Sequence, residues 1–518
     1  MKIFQNGQFI SLDEGNRVHS ILIEEAGRIV FLGDAIPERY LHAPRIDLEG
    51  RAVIPAFVDT HLHFSSFAYF LCSPDVREAQ SLSGLAEIIG RYEEAHPREK
   101  TTLGFGVAGH HLPNGEAPDR AALDRISSRP LMLVKYDGHA ALCNSALLER
   151  LPGSVKSAPG YEGDSGWLYG LAFYDGVNFV TKSVSPVRLF QNFLAGADYL
   201  ASKGIGLVHT AEGVGFPLDL DVDLMRFAAR GLPLDFRVYF QTLDEKKVLK
   251  RNLPRIGGCF ACALDGCFGS EDAALNEPYS NNPENSGCLF YSIEEIHDFV
   301  KKANRRELQI ALHAIGDRAI EMAISAYEAA LADYPRADHR HIIIHADLMT
   351  PALLARAARI GLHLAVQPAF LYWPQEPWEY MDKLLGERIK NLIPLRSMRE
   401  HGLVIGGGSD APCTLPDPFL GIYAACNHPH PDQRLSIPDA LRLFTSWAAR
   451  LSFDEKDRGT LEEGKRADLA VLTANPLTTP IEQLKDISVT DLYLRGNRHV
   501  KSAGTPLGLC FNSLFGRS

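Results

Sequence analysis

From Val53 onward the chain repeats one unit: a short apolar run that ends on polar residues, then an amphipathic stretch. The runs are VIPAFVD (53–59), GIGLVHTAE (204–212), LDFRVYF (234–240), QIALHAIG (309–316), HIIIHAD (341–347), HLAVQP (363–368) and LVIGGGSD (403–410). Between them lie stretches such as PVRLFQNFLAGADYLASKG (186–204) and DRAIEMAISAYEAALADY (317–334). Alternating strand and helix signals select an α/β architecture with a parallel sheet. Polar residues at the strand C-termini favour a (β/α)8 TIM barrel. An open doubly wound sheet is the rival arrangement. It would gain from a Gly-x-Gly-x-x-Gly turn between a strand and a helix, and none is found.

Both flanks read differently. Residues 1–54 are short strands and turns, with a hairpin signal at Asn6-Gly7 and another where Gly27 divides SILIEEAGRIVFLG. After about residue 455 strand character returns, with a turn at Glu463-Gly464-Lys465 and a last hairpin in VTDLYLRGNRHV. Residues 1–54 and 455–518 are therefore expected to pair into one discontinuous β domain. Residues 66–185 break the barrel rhythm with a helix of their own (LSGLAEIIGRYEEAH), a strand (RPLMLVKYD) and the Gly-rich PGYEGDSGWLYG. They read as an inserted α/β segment, leaving 55–65 and 186–454 for the barrel.

A chain of 518 residues is long enough for a large barrel with additions. A net charge of −11 argues against nucleic acid or an anionic membrane as partner. No apolar run is long enough to cross a bilayer, and MKIFQNGQFISLDEGN lacks the apolar core of a signal peptide. The nine cysteines are scattered without disulfide-framework spacing. The expected setting is a reducing cytoplasm, with a small molecule as the substrate and a homodimer as the commonest assembly.

The chemistry-bearing residues sit at the ends of the apolar runs. His61 and His63 follow VIPAFVDT two positions apart. Strand side chains alternate faces, so both imidazoles can reach one ion. His313, His345 and Asp410 each end another run. Singly, a strand-end histidine is more often a hydrogen-bonded polar residue, and Asp410 before Pro412 is most simply a turn or N-cap residue. Together, at the end of a barrel where such folds place their chemistry, they outline a divalent metal site.

The motifs DGHAALCNSALL (137–148), KGIGLVHTAE (203–212), HAIGDRAI (313–320), RHIIIHAD (340–347), QPAF (367–370), GSDAPCTLPDPFLGI (408–422) and GTLEEGKRADLAVL (459–472) extend the pattern over the whole chain. In these the sequence resembles the metal-dependent amidohydrolase superfamily, and within it the YtcJ-like (amidohydrolase 3) group. The resemblance implies hydrolysis of a C–N or similar bond by water that a metal activates. It implies His61, His63, His313, His345 and Asp410 as metal ligands or contacts, with Asp410 moving protons and His345 polarising the attacked group. It places His139 and Asn144 in a pocket motif of the insertion.

The sequence departs from the family at one point that bears on metal number. Many relatives carry a lysine four residues before an Asp-Gly pair, carboxylated so that it bridges two metals. Here Ala261 stands four residues before Asp265, and Phe260 takes the place if the count starts from Gly257-Gly258. Cys259 shares the face of position 261 but lies two residues back, and Cys262 faces the other way. The two cysteines read as buried structural residues, with a bridging thiolate as the alternative. Without a bridge the simplest site holds one ion, zinc by expectation, with iron or manganese also accepted by such ligands. Two further positions bear on the substrate. Glu271 stands where relatives place an Arg, which would favour a cationic or neutral substrate if it faced the pocket, and Ile344 stands where many place a Glu. Tyr372, Trp373 and Trp378 in AFLYWPQEPWEY are placed to line an apolar pocket. The first functional reading is an amide or formamide hydrolase. The alternative is an aminohydrolase acting on a heterocycle or amidine at a one-ion site, and the third is a barrel that has lost catalysis and only binds.

Overall fold

The computed structural model describes residues 1–108, 117–501 and 504–516. Eight strands form one parallel sheet: β1 Phe57–Leu62, β2 Ile205–Glu212, β3 Asp235–Phe240, β4 Arg255–Ala263, β5 Gln309–Ala314, β6 Ile342–His345, β7 His363–Val366 and β8 Val404–Gly407. They follow one another in chain order around the sheet. β8 returns to β1 through two backbone bonds, Asp410 N–H to the His61 carbonyl and His63 N–H to the Ala411 carbonyl, both 2.8 Å. This is the barrel expected from the alternating runs. The strands are buried on both faces, which explains their lack of polar alternation.

Closure of the barrel explains two of the three glycines at the end of β8, Gly406 and Gly408. A Cβ on Gly408 would lie 2.7 Å from the His61 backbone nitrogen, and one on Gly406 would lie 2.7 Å from Thr60 Cγ2. Only hydrogen at these positions lets β8 approach β1. Asp59 locks the seam, its Oδ1 accepting from the His61 and Ser409 amides.

The two chain ends share a second sheet. Leu469–Leu472 pairs antiparallel with Ala52–Pro55, which lies parallel to Lys2–Ile10. The hairpin at Gly27 is present, joining Val18–Glu25 to Arg28–Gly33. The hairpin signal at Asn6-Gly7 is not a hairpin: Lys2–Ile10 continues through it as one strand with a bulge. Asn6 adopts a φ of 54° there, and its side chain donates to Asp47 on the neighbouring strand Arg45–Asp47. The chain end also departs from a pure β unit, because helix Pro506–Phe515 packs on barrel helices Pro186–Ser202 and Leu220–Ala228.

The insertion builds a five-stranded sheet in the order Tyr161–Glu162, Trp167–Tyr169, Ala140–Cys143, Leu131–Lys135, Thr102–Val107. Its core includes Trp373 and Cys413, which reach in from loops at the barrel mouth. The insertion therefore roofs the end of the barrel where the strand-end residues collect. Among the described residues no helix is long and apolar enough to cross a membrane.

Candidate metal centre

His61, His63, His313, His345 and Asp410 come together, all buried, at the C-terminal end of the barrel. His61 Nε2 lies 3.1 Å from Asp410 Oδ1, and His63 Nε2 lies 3.5 Å from the same oxygen. The His313 and His345 rings are 4.5 Å apart between centroids, and His61 and His345 are 5.6 Å apart. Two of these residues sit on strained backbone. His345 has a φ of 69° and Asp410 a φ of 55°, left-handed values that side-chain-bearing residues rarely adopt. The turn at His345 lets Ile344 and His345 both reach the interior, which strict alternation would forbid.

Cys259 belongs to the same cluster. Its Sγ lies 3.1 Å from His61 Nε2, 3.4 Å from His313 Nδ1 and 3.5 Å from His345 Nε2. Alternation along β4 underrated it because β4 carries a bulge. Gly258 pairs with Leu312 and Ala263 with His313, so residues 259–262 lie opposite no residue of β5. Phe260 takes a φ of 47° within that bulge. A bulge re-aims side chains, and face counting fails across it. Ala261 offers the cluster no donor side chain, and its carbonyl accepts from Tyr291 Oη at 2.9 Å. Cys262 points outward to the Thr242 carbonyl, 3.5 Å away, as expected of a structural thiol.

Neighbouring groups fix the orientation of the imidazoles. His345 Nδ1 lies 2.7 Å from Gln367 Oε1, His63 Nδ1 lies 3.3 Å from the Ala211 carbonyl, and His313 Nε2 lies 3.3 Å from the Gly266 carbonyl. Each of these oxygens can only accept, so each engaged ring nitrogen carries the proton. The opposite nitrogen is left with a lone pair facing the cluster, as metal-ligating histidines require. Burial lowers the pKa of His61 and His313, and that of His345 to about 3, so these rings are neutral. Burial works to raise the pKa of Asp410, but the bond from His61 and the neighbouring imidazoles outweigh this and hold it well below the usual carboxylate range. Inward lone pairs, one ionised carboxylate and one thiol suit a divalent cation. Two groups of donors lie within 4.8 Å of one another: His61, His63, Cys259 and Asp410, and Cys259, His313 and His345. Gln367 lies in the QPAF motif, but nothing in its sequence context marks it as the partner of His345.

The other sequence candidates separate. His139 is at the edge of the cluster, with its ring 6.1 Å from that of His313. Asn144 does not offer its side chain to a pocket. Its Oδ1 accepts from the Leu131 and Leu147 amides and its Nδ2 donates to the Ser127 and Arg129 carbonyls. Glu271 turns away as well: its Oε1 accepts from Asn281 Nδ2 at 2.8 Å in an exposed turn, with φ at 53°. Trp373 is buried and stacks on Phe370 at 4.8 Å, and Phe370 stacks on His345 at 6.0 Å. Trp373 therefore backs the site. Tyr372 instead bonds the Asn427 carbonyl, and Trp378 packs on His428. An apolar cavity of about 50 Å³ opens beside His63, lined by Phe70, Phe105, Phe173, Tyr174 and Phe260 among others.

A closed parallel barrel with a composite β domain and a histidine-rich mouth defines a metal-dependent hydrolase fold. Residues 45–500 match the amidohydrolase family model, and the chain belongs to that family, whose members act on carbon–nitrogen bonds other than peptide bonds. The chain is 28% identical to the putative amidohydrolase YtcJ of Bacillus subtilis (strain 168), over 96% of this chain and 99% of that one. It is 24% identical to an N-substituted formamide deformylase of Arthrobacter pascens, over 96% of this chain and 98% of the other. An uncharacterized metal-dependent hydrolase from Pyrococcus horikoshii OT3 superposes with a TM-score of 0.76 at 25% identity, covering 96% of this chain and all of that chain.

Proposed function

We propose that the protein hydrolyses the C–N bond of an uncharged amide of the N-substituted formamide kind, at a metal centre held by His61, His63, His313, His345 and Asp410. The observation that carries this reading is the convergence of buried imidazoles on a buried carboxylate, beside an apolar cavity. A divalent ion in that site supplies a Lewis acid and makes water a nucleophile near neutral pH. Zinc suits the imidazole, carboxylate and thiol donors best.

The chain's own residues supply the rest. The Asp410 carboxylate is ionised, so it takes the proton from the attacking water. It then delivers that proton to the departing nitrogen, which would otherwise leave as a poor amine anion. Gln367 and the Ala211 and Gly266 carbonyls keep the imidazole lone pairs aimed inward. Phe260, Phe105 and Phe173 exclude water and receive an apolar substituent of the substrate. The relative named for N-substituted formamides matches over 96% of this chain, which agrees with this substrate class.

Deamination of a heterocycle or amidine would draw support from Glu271 at the pocket and from a one-ion site. Glu271 pairs with Asn281 in an exposed turn, so the first of these supports falls away. A barrel that only binds would have no need of lone pairs set inward on a carboxylate and a thiol. The test is a panel of N-aryl and N-benzyl formamides and N-heterocycles, assayed for formate and ammonia. Formate release with the amine is the expected outcome. Ammonia from the heterocycles alone would replace this reading with the aminohydrolase one, and no turnover by metal-loaded protein on either panel would support the binding barrel.

A further inference from the structure

We propose that Cys259 is a bridging ligand, so that the barrel mouth holds two divalent ions that share its sulfur. The inference rests on the metal-site reading above and replaces the expectation of a single ion. That expectation came from Ala261, which cannot bridge. The structure puts a different residue where a bridge must be.

Three observations carry it. First, Cys259 Sγ is the donor common to the two groups, one with His61, His63 and Asp410 and the other with His313 and His345. Second, it is nearly equidistant from nitrogens of both groups, at 3.1 Å from His61 Nε2, 3.4 Å from His313 Nδ1 and 3.5 Å from His345 Nε2. Third, the local backbone is shaped to put it there. Gly257 and Gly258 have φ values of 113° and 136°, and a Cβ on Gly257 would lie 1.8 Å from the Ala311 carbonyl oxygen. Gly257 brings β4 against β5, Gly258 leaves room for Gln241 and Ala211, where a Cβ would lie 2.7 and 3.0 Å away, and the bulge that follows turns Cys259 into the barrel.

A packing role accounts for less. Cys259 does pack in an apolar cluster with Tyr239, Ala311 and Ile344, but its sulfur also faces His313 Nδ1 and His345 Nε2, on rings whose protons are held on their far sides, and filling space requires no such contact. A disulfide with Cys262 is excluded by geometry, because Cys262 points to the Thr242 carbonyl. When the ions bind, the Sγ–H proton passes to solvent as the two sulfur–metal bonds form, and the thiolate supplies one negative charge to both ions. A soft bridge of this kind favours zinc or cobalt over magnesium or manganese.

The experiment uses full-length protein stripped with a chelator and reloaded with cobalt(II), followed by elemental analysis and absorption spectra. Wild type and the Cys262→Ser control are expected to bind two ions per chain and to show a near-ultraviolet thiolate-to-cobalt band. Cys259→Ser is expected to lose the band and to fall to one ion or fewer, while metal-free Cys259→Ser melts where metal-free wild type does. If Cys259→Ser does not fold, zinc-edge absorption of the wild type gives the answer without a variant, through a sulfur shell at about 2.3 Å around each ion. Two ions with an unchanged band in Cys259→Ser, one ion and no band in the wild type, or a zinc shell of nitrogen and oxygen alone in the wild type would each overturn the bridge. Those outcomes leave the hydrolase reading standing. Wild type that binds no ion yet hydrolyses its substrate would overturn both.

Discussion

Asp410 keeps its charge although it is buried, because His61 Nε2 faces its Oδ1 at 3.1 Å. Its role as base rests on that charge. Asp410→Asn preserves an oxygen that can face an ion and removes the proton acceptor. It is expected to lower kcat by about 10²–10⁴-fold while bound metal, measured by elemental analysis, is retained. Loss of the metal together with the rate would make Asp410 a ligand only. Gln367 acts through His345, so Gln367→Leu is expected to weaken metal affinity by about 10–100-fold, read by competition with a chromophoric chelator. The histidines and Asp410 were legible in the sequence because each ends an apolar run and two share a strand face. The direction of Glu271 was not legible, because a turn residue with a φ of 53° has no strand alternation to count from.

Elements, more than single side chains, position the site. Strict period-two counting works along β1, where His61 and His63 reach the same carboxylate oxygen. It fails along β4, where residues 259–262 leave the ladder, and at the end of β6, where His345 takes a positive φ. Neither irregularity has a residue code of its own: the Gly257-Gly258 pair hints at one, and Phe260 in a left-handed conformation does not. The glycines of β8 carry a similar constraint. Gly408→Ala would push a methyl group against the His61 backbone at 2.7 Å. The expected cost is about 1–3 kcal/mol of stability, seen as a lower melting temperature, together with loss of activity because His61 shifts. An alanine variant with unchanged melting temperature and activity would show that the β8–β1 seam has slack.

At the scale of the whole molecule, the barrel and the composite sheet are joined through a charged knot. Asp235, at the start of β3, meets Arg458, Arg466 and Arg495 at 2.5, 2.7 and 2.8 Å. Burial works to raise the pKa of Asp235, and the charges of Arg458 and Arg495 overcome it and hold the carboxyl far below its usual range. A depressed folded-state pKa gives stability that is complete above the unfolded value of about 3.9 and is lost as pH falls toward the folded value. Asp235→Asn removes the anion shared by three guanidinium groups, of which Arg466 keeps Asp457 at 3.0 Å and Arg458 keeps Asp468 at 3.7 Å, and is expected to cost about 1–3 kcal/mol at neutral pH. Thermal melts should show the gap between variant and wild type narrowing below about pH 4, and a gap independent of pH would exclude the ionised carboxylate as its source. The barrel and the pairing of the two chain ends were readable from the repeating units and the returning strands. The contact of Trp373 and Cys413 with the insertion's core was not, because no local pattern encodes a long-range packing partner.

The most direct test of the central claim is hydrolysis measured against metal content in one preparation. Protein is stripped with a chelator and titrated with zinc, and formate release from an N-substituted formamide is followed at each step. The account predicts no turnover in the stripped protein, a rise with each ion restored, and a plateau once the histidine, cysteine and aspartate donors are filled. Full turnover by protein shown to be metal-free would contradict it.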